Sequence, residues 1–146
     1  MLALMGADHP GAMVVTDAPP PGVAPTILYC NLAFTRLCGY PPGEVLGRSP
    51  SMLQGPKTDP RAVRALARAV ARREATTVVL LNHRRDGTPY LAEVALRPLR
   101  GPGGEHTHFV GLSREVARRR GRPGAAGRYL PVASGPDAPL AFAAMH

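Results

Sequence analysis

The sequence predicts an α+β fold, in which helices lie on one face of an antiparallel sheet. Three observations lead there. The stretch from Asp59 to about Arg73 repeats Val63, Leu66 and Val70 at helical spacing, which makes it the one long helix. From Ala75 onward the period changes to that of strands. Two extended runs, TTVVLLNHRR and PYLAEVALRPLR, meet at DGT, and Asp-Gly is the favoured pair for a tight hairpin. Short β-rich runs, then helices, then three strands in a meander do not alternate as a parallel α/β fold requires.

Each element has a local reason. Met13 to Thr16 is a short apolar run and reads as the first strand. DAPPPGVAP (17–25) is too rich in proline for a strand or a helix interior and forms a stiff loop. TILYC is the second strand. Asn31 directly after it is a good N-cap for the helix LAFTRLCGY. PPG at 41–43 ends that helix and opens a second turn through EVLG. In GRSPSMLQGPKTD (47–59), Pro50 opens a short helical turn, where the first positions tolerate proline. Leu53 and Met52 point inward from it. Asp59 caps the long helix and Pro60 takes its first position. GPGGE turns the chain once more and HTHFVGLSREV is the last strand.

The whole reads as a five-stranded antiparallel sheet with small helices and one longer helix on one face. The domain spans 13–117, after an N-terminal extension, 1–12. A tail, 118–146, is basic and then rich in Pro, Gly and Ala, with little fixed structure expected. No further domain fits in that length.

Composition bounds the function. With 146 residues the chain is one domain, and 45% hydrophobic residues exclude disorder throughout. No apolar run approaches the ~20 residues that a membrane helix needs. The start lacks the features of a secretory signal, and with only two cysteines this points to the cytoplasm. Cys30 and Cys38 stand in an apolar stretch without metal-ligand spacing and read as small buried hydrophobes. His106 and His108 share one strand face, but two histidines without a third ligand are polar surface. No Ser-His-Asp arrangement, nucleophile motif or metal set can be assembled, so an enzyme is not expected.

The net charge of +8 comes almost wholly from arginine and favours anionic partners in general. It concentrates in a helical stripe, Arg61, Arg64, Arg68 and Arg72, and in the run REVARRRGR. A stripe of this kind is usually a solvated face. The alternative is a nucleic-acid-binding protein using the C-terminal run. Scarce aromatic platforms and the shortness of that run count against it.

The order of elements, with YCNLAFTRLCGYPPGEVLGRSPSMLQGPKTD, LLNHRRDGTPY and HFVGLSREV, resembles a PAS domain of the light-oxygen-voltage (LOV) group. The resemblance covers about residues 13–117. It implies a sensory and protein-interaction module in signal transduction, with FMN or another flavin as the cofactor. It also implies pairing as a homodimer or with a signalling partner, through the outer sheet face near Val78 to Leu80 and Phe109 to Leu112.

LOV domains carry a stretch like GRNCRFLQG, whose Cys bonds to the flavin under blue light. This chain keeps Gly47, Arg48, Leu53, Gln54 and Gly55, but has Ser49, Pro50 and Ser51 in place of the Asn, the Cys and a phosphate-gripping Arg. The resemblance therefore implies a flavin site without adduct chemistry, because proline has no thiol. Asn82 matches an Asn at the flavin ring edge, and Gln54 and Leu53 match cofactor-side positions. Thr16, on the first strand, joins the same set. Ala92 falls where a second Asn stands, Ser113 where a Gln reads the ring, and Ala67 where a helix Arg holds the phosphate. Arg64, three residues before Ala67, is the candidate to replace that Arg. Glu44 and Arg85 match a surface ion pair.

Overall fold

The computed structural model describes residues 11–118 and 129–132. Its strands are β1 (Ala12–Asp17), β2 (Ile27–Cys30), β3 (Thr76–His83), β4 (Pro89–Arg100), β5 (His106–Arg118) and β6 (Tyr129–Pro131). Between β2 and β3 come α1 (Leu32–Cys38), α2 (Pro42–Val45), a 3-10 turn (Pro50–Leu53) and α3 (Pro60–Arg72). All pairings are antiparallel in the order β2-β1-β5-β4-β3, which confirms the α+β sheet and the meander.

A sixth strand was not foreseen. Tyr129–Pro131, in the stretch expected to be loose, pairs with β5 from Val116 to Arg118. The β1 partnership of β5 ends at Ser113, so the far end of β5 has a free edge that this segment fills.

The caps explain where the helices begin. The Asn31 side chain accepts from Phe34 N at 3.0 Å as the N-cap of α1 and from Met13 N at 2.9 Å, and it donates to Gly11 O at 2.7 Å. One side chain thus starts a helix and ties it to β1. Asp59 caps α3 as expected, accepting from Arg61 N at 2.8 Å. The helix ends at Arg72, and Arg73 takes a left-handed conformation with φ 54°. That conformation is held by the Arg73 guanidinium, which donates to Ala18 O at 3.0 Å and to Val70 O at 2.9 Å.

The buried stripe of α3 is shallower than its spacing implies. Ala69 and Val70 are buried, but Val63 and Leu66 are only half-buried, while Arg61, Arg64, Arg68 and Arg72 are exposed.

The hairpin between β3 and β4 differs from the tight Asp-Gly turn expected. Five residues, 84–88, connect the strands; Arg84 N donates to Thr88 O at 2.9 Å and Gly87 N to Arg84 O at 2.8 Å. Gly87 has φ 90°, which a side chain disfavours, and Asp86 accepts from Thr88 N at 2.9 Å. The resulting register sets Asn82 opposite Tyr90 and Leu80 opposite Ala92.

Side chains alternate across the sheet. Val14, Tyr90 and Ala92 join Phe34, Leu37, Cys38, Val45 and Leu53 in the helix-side core. Met13, Ala95, Val110 and Leu112 form a separate cluster on the opposite face. That outer face is where pairing was expected, yet Met13, Val110 and Leu112 are only 1%, 4% and 2% exposed. Among the described residues it offers a second copy little open apolar surface.

Candidate functional site

The register gathers the chemistry-bearing residues on the helix side of the sheet. Asn82 lies opposite Tyr90, Ser113 opposite Val94 and Ala12, and Thr16 opposite Phe109. Val78, Val94 and Leu96 on the same face are half-buried.

The segment 47–59 bounds this face beside β3. Ser49 Oγ accepts from Ser51 N at 3.2 Å, and the Ser51 hydroxyl donates to it at 2.9 Å, which caps the 3-10 turn opened by Pro50. Leu53 is buried and Met52 packs against the same cluster. The Thr58 hydroxyl donates to Leu81 O at 2.6 Å and accepts from Gly55 N at 2.9 Å, and His83 Nδ1 lies 3.3 Å from Leu53 O. A Cβ at Gly55 would stand 2.5 Å from His83 Cε1, so the close approach of loop and strand requires glycine there. This loop is fastened to an edge strand without any reactive group at position 50.

Asn82 is the chemically exceptional residue. It is 7% exposed, and its Oδ1 is buried without a hydrogen-bond partner. A buried carbonyl left unpaired costs about 1–3 kcal/mol. Asn82 therefore does not serve to satisfy a buried backbone group through that oxygen; it presents an acceptor to the helix side. Asn82 faces Tyr90 directly across the β3–β4 ladder. Burial pushes the Tyr90 phenol up to about 12, with the Cys38 thiol and the Glu115 carboxylate adding to the rise and the Asn82 and Arg84 contacts opposing it. Tyr90 itself is held by Arg84, whose guanidinium carbon lies 4.4 Å from the ring centroid and which pairs with Glu115.

The remaining expected residues divide. Leu53 and Thr16 are buried on the helix side, and Gln54 follows the 3-10 turn as a half-buried residue. The Thr16 hydroxyl donates to Asp17 O at 2.9 Å. Ser113 is half-buried on the same face as Val94. Arg64 stands apart from them on the exposed side of α3, as does Ala67.

Tyr90 went unnoticed in the sequence, where it reads only as a strand former. Counting outward from a tight Asp-Gly turn misses it, because the connection is a five-residue loop. Cys30 and Cys38 both pack in the helix-side core, and burial pushes both thiols up, which disfavours thiolate. Glu44 and Arg85 pair at 3.1 Å as expected, an exposed contact worth roughly 0–1 kcal/mol. The basic run starts inside β5, where Arg114 pairs with Glu93 at 2.9 Å. Among the described residues no group of three or more His, Cys, Asp or Glu could hold a metal, and no helix is long and apolar enough to cross a membrane.

Known proteins bear on this site. The PAS domain family model matches residues 11–118. A blue-light-activated histidine kinase of Rhizobium johnstonii is 37% identical over 108 residues, 74% of this chain and 31% of that protein. The chain thus spans under a third of that relative's length. A solved light-oxygen-voltage domain, described with a flavin analogue, superposes with a TM-score of 0.68 at 37% identity, covering 74% of this chain and 78% of that one. The dark structure of the blue-light photoreceptor Aureochrome1 LOV gives 0.68 at 36%, covering 80% and 81%. The fold, the order of motifs and these likenesses agree: the chain belongs to the PAS domain family and is similar to its light-oxygen-voltage members.

Proposed function

We propose that the chain is a LOV-like sensory and protein-interaction module that holds a flavin against Asn82 without cysteinyl-adduct photochemistry. The observation that carries this reading is the orphaned, buried Oδ1 of Asn82. An acceptor in that position fits an N–H donor at the edge of a planar ring, and a flavin imide supplies one. Half-buried Val78, Val94 and Leu96 on the same face offer apolar contact to such a ring.

When bound, a flavin supplies absorption of visible light. Asn82 orients the ring edge, Leu53 and Val94 exclude water, and Thr16 and Ser113 offer short hydroxyls on the same face. Pro50 supplies no thiol, and half-buried Cys30 and buried Cys38 pack in the core of β2 and α1. The phosphate is the weaker part of the fit. Ser51 and Ala67 offer no charge, and Arg64, exposed on α3, is the candidate cation for it.

Purified protein incubated with riboflavin and with FMN tests the reading by absorption. A structured visible flavin band that survives gel filtration and does not bleach under blue light is the expected result. No retained flavin would refute the flavin site, and reversible bleaching would refute the absence of an adduct. Output passes through another chain, as a homodimer or with a signalling partner.

A further inference from the structure

We infer that the outer face of α3 docks an acidic helix of another protein, through the row Arg64, Arg68 and Arg72. This goes beyond the flavin reading and does not depend on it. Residues four apart on a helix lie one above another, about 6 Å apart along the axis, so these three side chains form a straight row. The row lies opposite the face that α3 buries through Ala69 and Val70, and all three arginines are exposed.

The row does not stabilise the fold that carries it. α3 contains no acidic residue, and of its exposed arginines only Arg61 has a carboxylate partner among the described residues, Asp59. Like charges four apart destabilise a helix, whereas a solvated face of mixed sign gains from the same spacing. Carboxylates of a partner set against the row turn that repulsion into attraction.

Three observations choose the occupant. A second copy cannot supply it. Among the ten acidic residues of this chain the closest two in sequence are Asp86 and Glu93, so no segment presents carboxylates four apart. A nucleic acid is disfavoured by what surrounds the arginines. The other exposed positions of α3 are Pro60, Ala67 and Ala71, with no aromatic ring to stack a base and no amide to read one. Nor does the basic run of β5 lengthen the row into a track for a backbone. Arg114 leaves the sheet on the face away from Ala92 and the helices, paired with Glu93. An acidic helix fits instead. Glutamates four apart repeat the same step of about 6 Å, and the small Ala67 and Ala71 leave room for its approach.

The test titrates the full chain, without flavin, into a labelled alanine-based helical peptide with glutamate at every fourth position, read by fluorescence anisotropy. An isomeric peptide with its glutamates spread around the helix is the comparison. Wild type should bind the aligned peptide about fivefold tighter than the isomer, since exposed ion pairs contribute roughly 0.2–1 kcal/mol each. Arg68→Gln with Arg72→Gln should bring that preference below about twofold. Arg36→Gln with Arg118→Gln removes the same charge elsewhere and should keep it, because charges beyond a Debye length of about 8 Å are screened at physiological salt. The α3 variant should unfold no lower than wild type in a thermal scan, having lost like-charged neighbours. Equal binding of the two peptides by wild type overturns the inference, as does an equal loss in both double variants. A lower unfolding temperature in the α3 variant would show that the arginines serve the fold, and overturns it too. A random-sequence DNA duplex or single-stranded RNA whose binding fails in the α3 variant alone would make a phosphate backbone the occupant, against the acidic helix. Arg64 stays intact throughout, so each of these failures leaves the flavin site standing.

Discussion

Asn82 and Tyr90 show at the scale of single residues how function and stability pull apart. The unpaired Oδ1 of Asn82 is a cost carried by the ligand-free fold. Asn82→Leu should therefore leave the ligand-free chain as stable as wild type, or up to about 1–2 kcal/mol more stable, while weakening riboflavin at least about tenfold. Urea unfolding beside a riboflavin titration checks both halves; a large loss of stability would mean that the amide is structural.

Tyr90 gives a pH signature. Its folded pKa is raised to about 12 from 10.0, so its stabilising contribution is complete below pH 10 and is lost as pH rises through about 12. Full ionisation would remove about 2–3 kcal/mol. Tyr90→Phe should flatten the stability curve in that window, and a wild-type slope in the variant would contradict the burial argument.

The sequence showed Asn82 but not its partner, for a definite reason. A two-residue Asp86-Gly87 turn would set Asn82 opposite Leu91, whereas the five-residue loop sets it opposite Tyr90. A slip of one residue moves a strand's whole side-chain set to the other face. Turn chemistry named the hairpin correctly and left its register open.

Among the elements, the loop 53–58 and α3 carry opposite lessons. Position 55 is legible only in three dimensions, because the His83 ring that excludes a side chain comes from a strand 28 residues later. Gly55→Ala should cost about 1–3 kcal/mol, since the ring must move away from Leu53 O to make room. A change near zero in thermal or urea unfolding would show that the ring relocates freely. The α3 stripe was fully legible as a pattern, yet spacing gives direction and not depth. Leu66 reads as core but is half-buried, while Leu53 is buried. Leu53→Ala should therefore cost about 2–5 kcal/mol and Leu66→Ala about half as much. Equal losses would mean that α3 sits deeper on the sheet than described.

At the scale of the whole molecule, charge and apolar surface decide how the chain meets others. A net charge of +8 makes like copies repel, and α3 adds four exposed arginines, of which Arg61 pairs with Asp59. The run that would serve a nucleic-acid reading begins with Arg114 engaged to Glu93 inside β5, so its first arginine is not offered as a phosphate contact. Self-association must then come from apolar contact, working against charge. The outer face contributes less than its composition implies, because Val110 and Leu112 are already withdrawn from solvent. Pairing should accordingly be weak. At ~0.1 M salt the Debye length is about 10 Å, comparable to the separation of charges across a small interface, so added salt screens the repulsion and leaves apolar contact untouched. Sedimentation of the full chain at rising salt should show association that strengthens. A dimer that dissolves as salt rises would show that ion pairs hold the copies together, and the repulsion assigned to the arginines would be wrong.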